Sequence, residues 1–132
     1  MKAIVFDSFA LLAVFEEEEG SREVTQMLSD ISAGKLEGFI SSVNVGEIYY
    51  ILARRKGEEK AEAALNAVLH FPLEIVDPDF EFCIDAAKIK AKHKMSYADV
   101  FAAALTKMKK GTLVTGDKEF KVLAGEIKIR FI

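Results

Sequence analysis

The chain has 132 residues, of which 51% are hydrophobic and 30% are charged, and its formal net charge is −3. This apolar content excludes a disordered chain, and the single cysteine, Cys83, excludes a disulfide framework or a cysteine-based zinc site. The longest apolar run, residues 9–15, is far shorter than the ~20 residues that span a bilayer, and Asp7 interrupts the N-terminal apolar stretch, which argues against a signal peptide. We therefore expect one domain over residues 1–132, with no membrane segment and a cytoplasmic location.

Short apolar runs alternate with longer helical patterns along the chain. Ser42 is the predicted N-cap of the third helix, and Gly57 is its predicted end. Strands separated by helices predict βαβ crossovers and a mostly parallel sheet with helices on both faces. In chain order we predict a strand at 3–6, helices at 8–15 and 22–32, a strand at 38–41, helices at 42–56 and 58–70, a strand at 73–76, helices at 79–92 and 96–109, a strand at 112–115, a short helix at 118–123 and a strand at 127–131.

Two acidic residues follow predicted strands directly. Asp7 ends the first strand, and Asp117 follows the fourth strand after one glycine. In open parallel sheets the ligand site lies beyond the carboxyl ends of the strands, where the strand order reverses. If these two strands are central neighbours, their carboxylates meet at that edge.

Two further acids lie on predicted helices without an evident partner. Glu47 has apolar or aromatic neighbours at i−4, i+3 and i+4 (Val43, Tyr50 and Ile51) and no lysine or arginine at a pairing distance. Asp99 lies in the first turn of the helix at 96–109. Capping is the alternative interpretation for Asp7, Asp99 and Asp117, because each lies near a helix start. Glu47 has no such local role, so its carboxylate either faces a cleft or costs stability.

Four carboxylates at one edge would repel one another unless a cation lies between them. Oxygen ligands without cysteine or clustered histidine favour Mg²⁺ or Mn²⁺ over zinc. A cation of this kind activates water and stabilises the charge that develops on a phosphate, so the pattern indicates phosphodiester hydrolysis.

Four segments, in this order and together, resemble the PIN-domain nucleases, and most closely the toxin ribonucleases of VapC type. They are Ile4-Val-Phe-Asp7-Ser8, Asn44-Val-Gly-Glu47-Ile, Ser96-Tyr-Ala-Asp99-Val-Phe-Ala-Ala-Ala104, and Thr115-Gly-Asp117 with Phe120. The resemblance implies a three-layer α/β/α sandwich around a central parallel five-stranded sheet of order 3-2-1-4-5. It also implies an endoribonuclease that depends on Mg²⁺ or Mn²⁺.

By position, the resemblance makes Asp7, Glu47, Asp99 and Asp117 the catalytic and metal-binding acids. Ser8 and Thr115 would support them through hydrogen bonds. Proteins of this type are usually homodimers held inactive by a small antitoxin, so RNA, an antitoxin and a second copy are the expected partners.

The charge of the chain is unevenly distributed. Residues 1–87 carry seven basic and 17 acidic side chains, whereas residues 88–132 carry 11 basic and four acidic ones. A basic half can attract a polyanion even when the whole chain is acidic. Under the nuclease interpretation the candidate RNA contacts are Lys92, Lys94, Lys118 and Lys121.

Three other interpretations stay open from the sequence. Val5-Phe-Asp7-Ser-Phe is similar to the nucleophile strand of haloacid-dehalogenase-like phosphatases, with Asp7 as the nucleophile, although Ala10-Leu11-Leu12 replaces the Gly-Thr-Leu expected next. A receiver-like signalling module fits the length, and Asp77 is its only candidate phosphoacceptor. The third alternative is a non-catalytic PIN-type scaffold that binds RNA or a partner.

Overall fold

The computed structural model describes the whole chain, residues 1–132. Strands and helices alternate as predicted, and none of the helices is long and apolar enough to cross a membrane. The elements are β1 (Ala3–Phe6), α1 (Ser8–Phe15), α2 (Ser21–Ser32), β2 (Glu37–Ser41), α3 (Ser42–Lys56), α4 (Glu58–His70), β3 (Glu74–Val76), α5 (Phe80–Lys92), α6 (Tyr97–Lys109), β4 (Thr112–Thr115), a 3₁₀ helix (Lys118–Leu123) and β5 (Lys128–Phe131).

The five strands form one parallel sheet of order β3-β2-β1-β4-β5, which confirms the predicted fold class. β1 is the central strand, and its residue Val5 is in register with Phe39 of β2 and Leu113 of β4. This order differs from the 2-1-3-4-5 order of receiver-type domains, so the receiver interpretation was wrong.

The sheet is covered on both faces, because alternate side chains of β1 point in opposite directions. Ile4 and Phe6 pack with apolar side chains of α1, α2, α3 and α4. Val5 packs with α5, α6 and the 3₁₀ helix. Residues of β1 are therefore buried throughout.

The helix starts show where the sequence prediction needed correction. Ser41, not Ser42, is the N-cap of α3, and its hydroxyl accepts the N–H of Asn44 at 3.1 Å. Asp79 and Ser96 are likewise the N-caps of α5 and α6, so both helices begin one residue later than predicted. Each of these caps has an extended backbone conformation. The N-termini of α3 and α6 lie together beside the residue that follows Asp7, since Asn44 Nδ2 donates to the carbonyl oxygen of Ala98 and to Ser8 Oγ.

Candidate metal centre

Asp7 and Thr115 connect the two central strands at their carboxyl ends. Asp7 is almost fully buried, and its Oδ1 accepts the N–H of Ala10 at 2.9 Å as the N-cap of α1. The Thr115 hydroxyl donates a hydrogen bond to Asp7 Oδ2, and its oxygen accepts the N–H of Asp117 at 2.9 Å. One buried hydroxyl therefore fixes both the Asp7 carboxylate and the backbone of Asp117.

Three acidic side chains converge beside this pair. One oxygen each from Asp99, Asp117 and Glu119 lie within 4.8 Å of one another. Asp99 is buried in the first turn of α6, where its N–H donates to the Ser96 hydroxyl at 3.2 Å. Asp117 and Glu119 are more exposed, so the cluster is open to solvent on one side.

The geometry of these oxygens suits a small hard cation. Two oxygens bound to one Mg²⁺ lie at most about 4.2 Å apart, twice the usual bond length of ~2.1 Å. The donor set contains only oxygen atoms, which fits Mg²⁺ or Mn²⁺ and does not fit the nitrogen and sulfur ligands typical of zinc.

The electrostatics show that negative charge at this edge is not balanced within the chain. Burial raises the pKa of Asp7 from 3.8 to about 7, against the lowering effect of hydrogen bonds from Thr115 and Ala10. The charges of Asp99 and Asp117 raise that pKa further. Burial also raises the pKa of Asp99 to about 6, with added repulsion from Asp117, Glu47 and Glu119.

No basic side chain neutralises the predicted acids. The structure contains five ion pairs, and none of them includes Asp7, Glu47, Asp99 or Asp117. A bound cation would stabilise carboxylates without a counter-charge, because it offsets both the burial and the repulsion that raise the pKa values of Asp7 and Asp99.

Capping and ligand roles are compatible at this site. Asp7 uses Oδ1 for the cap of α1, and Asp117 uses Oδ1 to accept the N–H of Glu119 at 2.9 Å. Asp117 keeps a second oxygen, whereas Asp7 Oδ2 already accepts the Thr115 hydroxyl. An ionised oxygen can accept more than one contact. The capping interpretation therefore describes these residues correctly without excluding a metal.

The predicted residues do not all reach the cluster. Glu47 is half-buried on α3, and its charge raises the pKa of Asp99, but its oxygens lie outside the 4.8 Å group. Ser8 does not bond to a carboxylate; its hydroxyl donates to the carbonyl oxygen of Asn44 at 3.1 Å. Ser8 is therefore bonded to α3 and not to the Asp7 carboxylate.

The sequence analysis missed Glu119. It lies two residues after Asp117 in the 3₁₀ helix, and its backbone N–H donates to Asp117 Oδ1, which holds the two residues in one tight turn beside Asp99. The spacing of the two acids in Asp117-Lys-Glu119 was the available signal. It was too weak to use before the tight turn was known.

The candidate RNA-contacting lysines lie in two regions. Lys118 and Lys121 are on the same 3₁₀ helix as Glu119, and Lys94 lies between α5 and α6; all three are exposed and form no ion pair. Lys92 instead lines a cavity of about 390 Å³ with Lys107, along the C-terminal half of α6. Lys118 and Lys121 are thus close to the acidic cluster, because they share a short helix with Glu119.

The fold and the cluster together define a parallel α/β protein with a candidate metal site at the carboxyl edge of its central strands. The PIN domain family model matches residues 4–126. The chain therefore belongs to the PIN domain family, as the sequence motifs predicted, and the phosphatase interpretation is not supported. No curated protein matches the chain in sequence.

Solved structures of VapC proteins share the fold. The chain is similar to VapBC2 from Rickettsia felis bound to a promoter DNA fragment, with a TM-score of 0.76 and 18% identity over 98% of both chains. It is similar to VapC20 from Mycobacterium tuberculosis, a toxin that cleaves the sarcin-ricin loop, with a TM-score of 0.74 and 19% identity over 94% of this chain and 95% of that one. DNA-bound VapBC from Salmonella typhimurium gives a TM-score of 0.76 and 21% identity over 99% of this chain and 98% of that one.

Proposed function

We propose that this chain is a metal-dependent endoribonuclease that hydrolyses RNA phosphodiester bonds and acts as the toxin of a toxin–antitoxin pair. The observation that carries the proposal is the group of carboxylates without counter-charge, Asp99, Asp117 and Glu119, beside the buried Asp7. Membership of the PIN domain family supports the same chemistry.

The residues divide into ligands and supports under this proposal. Asp99, Asp117 and Glu119 would hold Mg²⁺ or Mn²⁺. The carboxylates of Asp7 and Glu47 would add negative charge around the ion. Bound there, the cation would lower the pKa of a water molecule and stabilise charge on the scissile phosphate. Thr115 keeps the Asp7 and Asp117 segments in register, since it bonds to both.

An RNase assay on single-stranded RNA tests the proposal. We expect cleavage with Mg²⁺ or Mn²⁺ and a return to background when EDTA removes the cation, because no side chain at the site can replace its charge. Gel analysis of a labelled RNA would show internal cuts. Cleavage that persists in EDTA would contradict the proposal.

The non-catalytic scaffold gives a different result in that assay. A PIN-type scaffold would bind Mn²⁺ or RNA and leave the RNA intact at every metal concentration. Calorimetry of Mn²⁺ binding on the same sample separates this outcome from a misfolded preparation, since only a folded site binds the ion.

The lysines of the 3₁₀ helix are expected to contact substrate phosphates. A Lys118→Ala/Lys121→Ala double variant should reduce the dependence of log(kcat/KM) on log[KCl] by about 1.4, because each phosphate contact to a single strand contributes ~0.7. The sequence preference of cleavage should not change, since phosphate contacts carry no base information. Initial rates between 50 and 200 mM KCl, at substrate concentrations below KM, provide the measurement.

A Lys35→Ala/Lys60→Ala variant is the matched control for charge. It removes two exposed lysines from segments that carry none of the candidate site acids. The net charge therefore changes by the same amount in both double variants. An equal loss of salt dependence in both double variants would mean that the effect comes from net charge and not from contacts near the cluster.

We further propose that residues 1–132 form a single domain and that two copies form a homodimer. A small antitoxin is the proposed partner that blocks the site. The support is the likeness in fold to VapBC complexes from two organisms. The acidic cluster is open on its solvent side, which leaves room for a segment of the antitoxin.

A further inference from the structure

Asn44 is the centre of a buried hydrogen-bond network. It begins the second of the four motif segments, but the resemblance assigns it no role. Its side chain is fully buried on the first turn of α3, as are Ser8 on α1 and Ser41 at the end of β2. Every polar atom of its amide has a partner within the chain. Buried networks that are fully satisfied fix one arrangement of the segments they join.

The amide oxygen and nitrogen of Asn44 have different partners. Its Oδ1 accepts the hydroxyl of Ser41 at 2.7 Å. Its Nδ2 donates to Ser8 Oγ at 3.1 Å and to the carbonyl oxygen of Ala98 at 3.2 Å. A carbonyl oxygen can only accept, so the contact with Ala98 requires the NH₂ group on that side and fixes the orientation of the amide.

Each segment that Asn44 joins carries one of the acids. Ser8 follows Asp7, Ala98 precedes Asp99, and Glu47 lies one helical turn after Asn44 on α3. Ser8 Oγ also donates to the backbone carbonyl oxygen of Asn44, which strengthens the connection to α1. Thr115 joins only the Asp7 and Asp117 segments, so the two networks meet at Asp7.

From this arrangement we propose that Asn44 is a positioning residue, whose amide holds the Asp7, Glu47 and Asp99 segments at the separation that a divalent cation requires. The inference rests on the proposed function, because it assigns Asn44 to the same metal site. The residue touches neither substrate nor cation; it acts through the Ser8 side chain of α1 and the backbone of α6. Hydrogen bonds made directly to metal ligands typically contribute about 10- to 100-fold to metal affinity. Asn44 bonds to the neighbours of the acids and not to the acids, so we expect the lower end of that range.

Asn44→Ser tests the proposal. The serine hydroxyl keeps a short-range bond near Ser41 but is too short to reach Ser8 and Ala98. We expect Mn²⁺ binding, measured by calorimetry without RNA, to weaken by about 10-fold. We also expect kcat to fall while KM for RNA stays within about twofold, because the lysines are not moved.

Thr106→Val is the matched control for a simple loss of stability. Thr106 is also buried, and its hydroxyl donates to the carbonyl oxygen of Ala102 at 2.9 Å within α6, away from the network. Both variants are compared at a temperature where circular dichroism shows them fully folded. Equal Mn²⁺ affinity in Asn44→Ser and Thr106→Val would overturn the proposal.

Two further arms keep the outcome decisive. If Asn44→Ser does not fold, Ser8→Ala removes only the arm to α1, and unchanged Mn²⁺ affinity in that variant overturns the proposal. If the wild-type chain itself binds no Mn²⁺, the proposed metal-dependent function fails, and the positioning role fails with it. Wild-type binding with no effect of the Asn44 and Ser8 variants rejects the positioning role alone.

Discussion

Replacement of Asp7 by asparagine is expected to lower RNA cleavage by about 10³-fold or more, a loss of roughly 4 kcal/mol in transition-state stabilisation. Asparagine has nearly the same shape, and its single amide oxygen can still accept the Ala10 N–H and cap α1. Its NH₂ group then faces the Thr115 hydroxyl, which loses the acceptor that Asp7 Oδ2 provides. What it lacks is the negative charge that a cation needs beside the cluster. We expect the same loss for Asp99→Asn, which removes one of the three clustered oxygens. Single-turnover cleavage of labelled RNA at saturating Mn²⁺ measures both effects.

Asp85→Asn is the appropriate control, because Asp85 is an exposed acid on α5 with no place in the cluster. It should cleave RNA at the wild-type rate. Equal cleavage by the wild type, Asp7→Asn and Asp99→Asn would identify a contaminating ribonuclease and end the hypothesis. Loss of activity in Asp85→Asn as well would indicate a general sensitivity to charge and not a specific metal site.

The strands and helices could be predicted from the sequence because local signals agree with the tertiary structure. β1 and β4 are apolar runs buried in the centre of the sheet, and apolar runs of this length favour strands. Most helix ends fell within one residue of the prediction. The errors were at caps, as with Ser41 and Ser42, where either hydroxyl could satisfy the same N–H donors and only the backbone conformation decides.

The strand order is less local. Alternation of strands and helices predicts a parallel sheet but is compatible with several orders, including that of receiver domains. The order 3-2-1-4-5 came from the resemblance of the four motifs to a family. The structure confirms it through the pairing of β1 with both β2 and β4.

The residues of the candidate site were also predicted only in part. The pattern singled out Asp7, Asp99 and Asp117, because each follows a strand or starts a helix at the same edge. Glu119 and the role of Asn44 could not be predicted, since both depend on bonds across residues far apart in sequence or on one tight turn. A side chain that joins α3 to α6 across 54 positions leaves no trace in local periodicity.

The raised pKa values imply an unusual pH dependence of stability for the metal-free chain. In the folded state Asp7 has a pKa of about 7, whereas its ordinary value is 3.8. Between these values the folded state binds more protons than the unfolded state, so the free energy of unfolding must fall as pH rises. Asp99, with a pKa of about 6, contributes in the same direction up to that pH.

We therefore expect the EDTA-treated protein to lose stability between about pH 4 and pH 7, relative to an Asp7→Asn variant. The limit for Asp7 is about 4 kcal/mol, since its pKa shift of roughly 3 units corresponds to ~1.4 kcal/mol per unit. Urea unfolding followed by circular dichroism at several pH values gives the measurement. The difference between the two proteins isolates Asp7, because all other carboxylates are common to both.

Saturating Mn²⁺ should remove this loss, because a cation binds the ionised carboxylates of the folded chain and stabilises that state by mass action. At pH 8 the wild type should then gain more from Mn²⁺ than Asp7→Asn does. A wild-type stability that rises relative to Asp7→Asn between pH 4 and 7 in EDTA would contradict the burial of an uncompensated Asp7. Equal gains from Mn²⁺ in the two proteins would place the ion elsewhere. The same carboxylate would thus destabilise the empty fold and bind the ion, and this opposition is the physical signature expected of a metal ligand as distinct from a helix cap.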